Sequence, residues 1–224
     1  MKLNKYNSLH NKSGFTLAEV LITLVIIGVI AALTIPTAIN NTKEQELKSQ
    51  FAKAYSTVSQ ALYKTEMNNF YGYAKCYYGQ NGLSTEISEC NKFFNTLFSQ
   101  TLSVQKICTN NSLSNGCIPA YRTYATSGGW SGFNQGNIEN TNSSYVLSDG
   151  QIIIRYPWSM PDFLIDINGH KGPNVYGKDL FGFQLKRNEN TGIFLDSCGT
   201  CGFEIKDNAR TTDQMMLYAL AGKK

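Results

Sequence analysis

One segment constrains this chain more than any other. From Phe15 to Leu33 the sequence FTLAEVLITLVIIGVIAAL runs 19 residues with a single ionisable group, Glu19. As a helix rising about 1.5 Å per residue it would be roughly 28 Å long, close to the ~30 Å hydrocarbon core of a bilayer. Twelve of its residues are Leu, Ile, Val or Phe. Together these favour insertion by roughly 4 to 7 kcal/mol, against a cost of about 3 kcal/mol for a carboxylate at mid-bilayer. Insertion wins, by a margin that Glu19 narrows.

Lys2, Lys5 and Lys12 precede the run with no acid among them, whereas Lys43, Glu44, Glu46 and Lys48 follow it in balance. The positive-inside rule then keeps the N-terminus in the cytoplasm and exports everything beyond about residue 40. A secretory signal peptide cut near Ala32 or Ala38 is the competing reading. Its apolar region would span only about 7–15 residues and carry no acid. Without the three leading lysines the chain holds 17 basic and 16 acidic residues and shows no basic stripe. Nucleic acid is therefore not an expected partner of the exported part. With 42% hydrophobic residues overall the chain can close one core, which excludes a disordered chain.

A carboxylate inside an apolar helix needs a partner or a proton, and residues 15–33 contain no Lys, Arg or His. The sequence offers Glu19 no internal solution. Cleavage between Gly14 and Phe15 would create one, because the new Phe15 amino group, on a neighbouring copy, could neutralise Glu19 as helices stack. The basic leader ending in Gly14, followed by Phe15-Thr16-Leu17-Ala18-Glu19-Val20-Leu21, resembles the type IV pilin and type II secretion pseudopilin family. The resemblance implies cleavage after Gly14 and N-methylation of Phe15 by a prepilin peptidase, with Glu19 as the assembly glutamate. Pro36 matches a position where such helices often carry proline. It removes one helix hydrogen bond and crowds the carbonyl of Ala32, so a kink or local melting is expected between Gly28 and Pro36.

Beyond Pro36, Leu47, Phe51, Ala54, Tyr55, Val58 and Leu62 recur at three- and four-residue intervals. This spacing predicts an amphipathic helix over roughly residues 40–68, ended by Asn68-Asn69 and Gly72. Residues 107–145 are dense in Asn, Ser, Gly and Thr, with only Arg122 and Glu139 charged, and read as irregular chain. The aromatics there, Tyr121, Tyr124, Trp130, Phe133 and Tyr145, are read first as a small core anchoring the loop and second as a ligand surface. Asp149-Gly150 between Tyr145–Ser148 and Gln151–Tyr156 is a hairpin signal. Further short strands are expected at 163–167, 181–185 and 193–195, for a sheet of about four.

Six cysteines lie in the exported part, at 76, 90, 108, 117, 198 and 201. Their even number favours disulfides, and proximity suggests Cys76–Cys90, Cys108–Cys117 and Cys198–Cys201 as staples of the loops. Cys198-Gly-Thr-Cys201 has the spacing of a redox or zinc motif, but it follows a strand and precedes strand-like Gly202–Ile205, where a thioredoxin-like site needs a helix N-terminus. In the stretch from Asp166 through Asn168 to Asp179, oxygen-bearing side chains alternate with glycines, which suits Ca²⁺. The alternative is a glycine-rich turn in which Asp166 and Asn168 bond their own backbone. A similar segment is associated with pilin-like heads, some of which hold calcium. His170 is the only histidine outside the leader, and no phosphate-binding glycine motif appears, so no catalytic site is expected and no cofactor is required.

The expected organisation is a leader at 1–14, a membrane and assembly helix at 15–36 and an exported head at 37–224. Its fold class is α+β, pilin-like, a long N-terminal helix on a small antiparallel sheet. The expected function is a structural subunit of a type IV pilus-like filament, anchored first in the inner membrane and partnered by further pilin subunits. The alternatives are a type II secretion pseudopilin and, in another class, a membrane-anchored binding module.

Overall fold

The computed structural model describes residues 14–68, 94, 98–122, 136–155, 163–188, 192–205 and 209–221. Two compact units divide the chain, Met1–Glu44 and Gln45–Lys224. Helix α1, Leu17–Asn68, begins in the first and ends in the second. In the first unit the large apolar side chains of Leu17 through Ile39 are exposed. The helix runs unbroken through Gly28 and Pro36, so the expected local melting does not occur. Pro36 deletes one hydrogen bond, and helical bonding persists around it. The hydroxyls of Thr34 and Thr42 also donate to the carbonyls of Ile30 and Ala38, both at 2.9 Å.

In the second unit, the sequence alternates within strands and repeats at helical spacing along α1, and the two patterns meet in one core. Among the described residues six antiparallel strands follow one another in chain order: β1 Val104–Cys108, β2 Ser144–Leu147, β3 Ile152–Arg155, β4 Phe163–Asp166, β5 Leu180–Asn188 and β6 Gly192–Ser197. Asp149-Gly150 turns the β2–β3 hairpin as expected, with Gly150 at φ 88°. The tip is tied back to α1 by Lys53, whose Nζ lies 2.9 Å from Asp149 Oδ2. The described strands exceed the expected count of about four, and the one with no counterpart among the expected runs is β1, which begins before the stretch read as irregular and ends inside it. Edge strands need bury little, and with Gln105, Lys106 and Ile107 exposed this one shows no alternation. β6 is the other edge strand, and it is longer than its three apolar residues suggested.

Both faces of the sheet are covered, which is why Ile152-Ile153-Ile154 is uninterrupted. On one face Phe51, Ala54, Val58 and Leu62 of α1 pack with Phe98, Tyr145, Ile153, Phe163, Phe181 and Phe183. The Phe51 and Phe181 rings meet edge to face at 4.8 Å, a favoured aromatic arrangement. On the other face, Ile152, Ile154 and Leu164 lie with Cys117, Ile118, Tyr121, Ile138 and Phe203 from the connecting segments. A final helix, α2 Thr212–Leu220, sends Met215 and Ala219 into the first of these clusters. Its sequence signal is a capping box, Thr211-x-x-Gln214, which the structure forms in both directions. Gly202–Ile205 is not a strand. Gly199, Cys201 and Gly202 all have positive φ, which coils the chain and stacks Phe203 on Tyr176 at 4.1 Å.

Candidate functional site

Gly14, Phe15 and Thr16 precede the helix in non-helical chain, and all three are exposed. The helix start is built by two side chains. The backbone N–H of Glu19 donates to Thr16 Oγ1 at 3.2 Å, while the backbone N–H and the hydroxyl of Thr16 both donate to Glu19 Oε2 at 2.8 Å. This is a capping box, in which a threonine and a glutamate three residues later satisfy each other and the orphan donors of the first turn. It corrects the expectation that Glu19 has no internal partner. The T-x-x-E spacing is its local signal, and the partners are neutral N–H and O–H donors rather than an opposite charge.

Downstream of the cap, Leu17, Leu24, Ile27 and Leu33 are each at least 60% exposed. Among the described residues, one helix is long and apolar enough to cross a membrane, and none of its most apolar stretch is buried. A helix apolar on all sides needs lipid or other helices around it. The geometry therefore joins an exposed Gly14–Phe15 bond, a capped glutamate and an unpartnered apolar cylinder within Gly14–Ile39.

The other anticipated site residues fall elsewhere. Cys108 is bonded to Cys117 and Cys198 to Cys201, with Cα atoms 6.3 and 5.2 Å apart; Cys76 and Cys90 lie outside the described residues, as do Tyr124, Trp130 and Phe133. Cys108 is the last residue of β1, so this bridge fastens an edge strand as well as a loop. Tyr121 and Tyr145 are buried and belong to the two cores.

Asp166 and Asp179 are both fully buried. Asp166 Oδ1 accepts from the backbone N–H groups of Asn168 at 3.2 Å and Gly169 at 2.7 Å, and its Oδ2 accepts from the Tyr121 hydroxyl at 2.9 Å. Asp179 accepts from the N–H groups of Asn174 at 2.7 Å and Val175 at 2.8 Å. Asn168 Nδ2 donates to the Gly172 carbonyl at 2.9 Å. All four carboxylate oxygens thus accept hydrogen bonds, whereas the side-chain oxygens of Asn168 and Asn174 are buried without a hydrogen-bond partner. Among the described residues no group of three or more His, Cys, Asp or Glu side chains gathers as a metal site. Asp166 and Asn168 both bond nearby backbone, as the glycine-turn reading expects. Burial, followed by the charge of Asp179, pushes the Asp166 carboxyl up to about 7, against the pull of Tyr121 and the two N–H groups. Burial raises Asp179 as well.

Neither a curated protein nor a solved structure matches this chain. Its first segment does find a relative: residues 9–35, which contain the exposed Gly14–Phe15 bond and the Thr16–Glu19 cap, match the family model of the prokaryotic N-terminal methylation motif. The chain therefore carries the prepilin motif of type IV pilins and pseudopilins.

Proposed function

We propose that this protein is a structural subunit of a type IV pilus-like filament. It is made as an inner-membrane precursor with its N-terminus in the cytoplasm, cut after Gly14 by prepilin peptidase and methylated on Phe15. It then polymerises through α1 with further pilin subunits. What carries the reading is the apolar cylinder of Leu17–Ile39, exposed along its length and headed by the processing motif. Lipid covers such a surface before assembly, and the same surface of other subunits covers it afterwards. The new amino group of Phe15 on an adjacent subunit supplies the positive charge that Glu19 lacks in its own helix. Thr16 holds the carboxylate at the helix start until that partner arrives. The role is mechanical, and no residue is assigned to catalysis.

Replacing Glu19 by Ala tests this directly. Incorporation into sheared filaments is expected to fall to background while the precursor is still made, inserted and cut. Incorporation equal to wild type overturns the assembly role. Intact mass and N-terminal sequencing of protein recovered from membranes test the rest: a chain beginning at Phe15 and carrying one methyl group is expected. A chain beginning at Met1 in cells with an active prepilin peptidase supports the anchored module instead.

A further inference from the structure

The turn at Cys198–Cys201 is the point where three elements of the head are fastened together. The Tyr176 hydroxyl donates to the Gly199 carbonyl at 2.7 Å, lies 2.9 Å from Thr212 Oγ1 and 3.1 Å from Cys201 Sγ. Thr212 opens α2; its N–H donates to the Gly199 carbonyl at 3.2 Å, and its hydroxyl oxygen accepts from the N–H of Gly182 in β5, also at 3.2 Å. Gly182 faces the two sulfurs so closely that a Cβ there would overlap both Cys201 Sγ and Cys198 Sγ. Cys201, a non-glycine residue, sits at φ 48° between Gly199 at 65° and Gly202 at 76°. Such a backbone persists only where its surroundings hold it. Here those surroundings are the disulfide, Tyr176 and the first turn of α2.

The two described bridges differ in access. Cys108 and Cys117 are both buried, whereas Cys198 is half-buried beside a buried Cys201. Disulfides open by attack of a thiolate on one sulfur, so access and the stability of the departing thiolate decide which bond exchanges. Cys198 is the least buried of these four cysteines. At Cys201 the departing sulfur lies beside a hydroxyl able to turn its hydrogen from the Gly199 carbonyl onto it.

We propose that Cys198–Cys201 is a thiol–disulfide exchange site, addressed by an extracytoplasmic dithiol, whose state latches or frees α2. One thiolate of the dithiol attacks Cys198 Sγ, the Cys198–Cys201 bond breaks, and Cys201 leaves as a thiolate that takes a proton. The second thiol of the reagent then closes its own disulfide and releases Cys198 as a thiol. The dithiol is oxidised by two electrons and the head gains two thiols. With the turn open, Gly199 no longer holds the N–H of Thr212, and Met215 and Ala219 lose their fixed place in the core.

The test is a graded dithiothreitol titration of the full-length chain in detergent micelles, trapped with iodoacetamide and read by peptide mass spectrometry. Hydrogen exchange is followed in parallel. Cys198 and Cys201 are expected to be alkylated at about tenfold less dithiothreitol than Cys108 and Cys117. Exchange protection in Thr212–Leu220 should fall in step, while β3 and β4 stay protected. Simultaneous alkylation of both pairs, resistance of Cys198–Cys201 until the head unfolds, or α2 protection that survives their alkylation would each overturn the proposal. A Cys198→Ala/Cys201→Ala chain should show the low α2 protection without any dithiothreitol, and full protection there would also overturn it.

Discussion

The two halves of α1 are made from similar side chains and end in opposite situations. Between Leu17 and Ile39 the large Leu, Ile and Val side chains are exposed, whereas Phe51, Val58 and Leu62 are at most 1% exposed. The difference lies in arrangement. The first half is apolar all round, and no single neighbour could cover it; the second confines its apolar residues to one stripe, which one sheet face covers. A helix of the first kind stores its hydrophobic free energy for lipid or for other subunits. One of the second kind uses it inside its own head.

The sharpest way to break this comparison is to shorten one side chain in each half. Phe51→Ala removes a ring that packs on Phe181 and Phe183 and should cost the head about 3–5 kcal/mol. Ile26→Ala should move head stability by less than about 0.5 kcal/mol, because Ile26 is exposed. Denaturant melts in detergent, read by near-ultraviolet circular dichroism, measure both. A comparable loss from Ile26→Ala would mean that the two halves are not energetically separate.

A second effect belongs to the head alone. With Asp166 raised from 3.8 to about 7, the folded chain keeps a proton that the unfolded chain gives up above about pH 4. Stability is therefore fully present below that pH and is lost as pH rises through 7. The raised pKa of Asp179 acts in the same direction. The denaturation midpoint should fall between pH 5 and pH 8, and Asp166→Asn should flatten that slope. A midpoint that climbs over this range contradicts the raised pKa of Asp166.

The most local effect is confined to the other half. Thr16→Ala removes the cap that holds Glu19 and should destabilise the first helical turn by about 0.5–2 kcal/mol. Hydrogen exchange should quicken at Glu19 and Val20 in micelles, while the head melts as before. Unaltered exchange at those amides would show that the capping box contributes nothing in a membrane-like setting.

Much of this organisation is legible in the amino-acid sequence. The apolar run, the leader charges and the Gly14–Phe15–Glu19 spacing identify the motif, because insertion and processing act on local sequence. The Phe51–Leu62 stripe and the Asp149-Gly150 hairpin are equally legible, as helical periodicity and turn chemistry are local properties. β1 is not, since an edge strand that exposes Gln105, Lys106 and Ile107 carries no alternation to detect. The calcium reading of Asp166, Asn168 and Asp179 rests on composition, and the structure adds which of their oxygens already accept hydrogen bonds.

What sequence alone determined, then, is the membrane-length helix, its orientation signal and its processing motif, each fixed by neighbours within a few residues. Tertiary structure decided what became of the buried polar groups. The side chains of Asp166 and Asp179 were turned toward backbone N–H groups, and Tyr176 was brought to Cys201 and Thr212 across 25 and 36 residues of chain. Hydrogen-bond partners so distant along the chain are selected by the packing of the core, which no local pattern encodes.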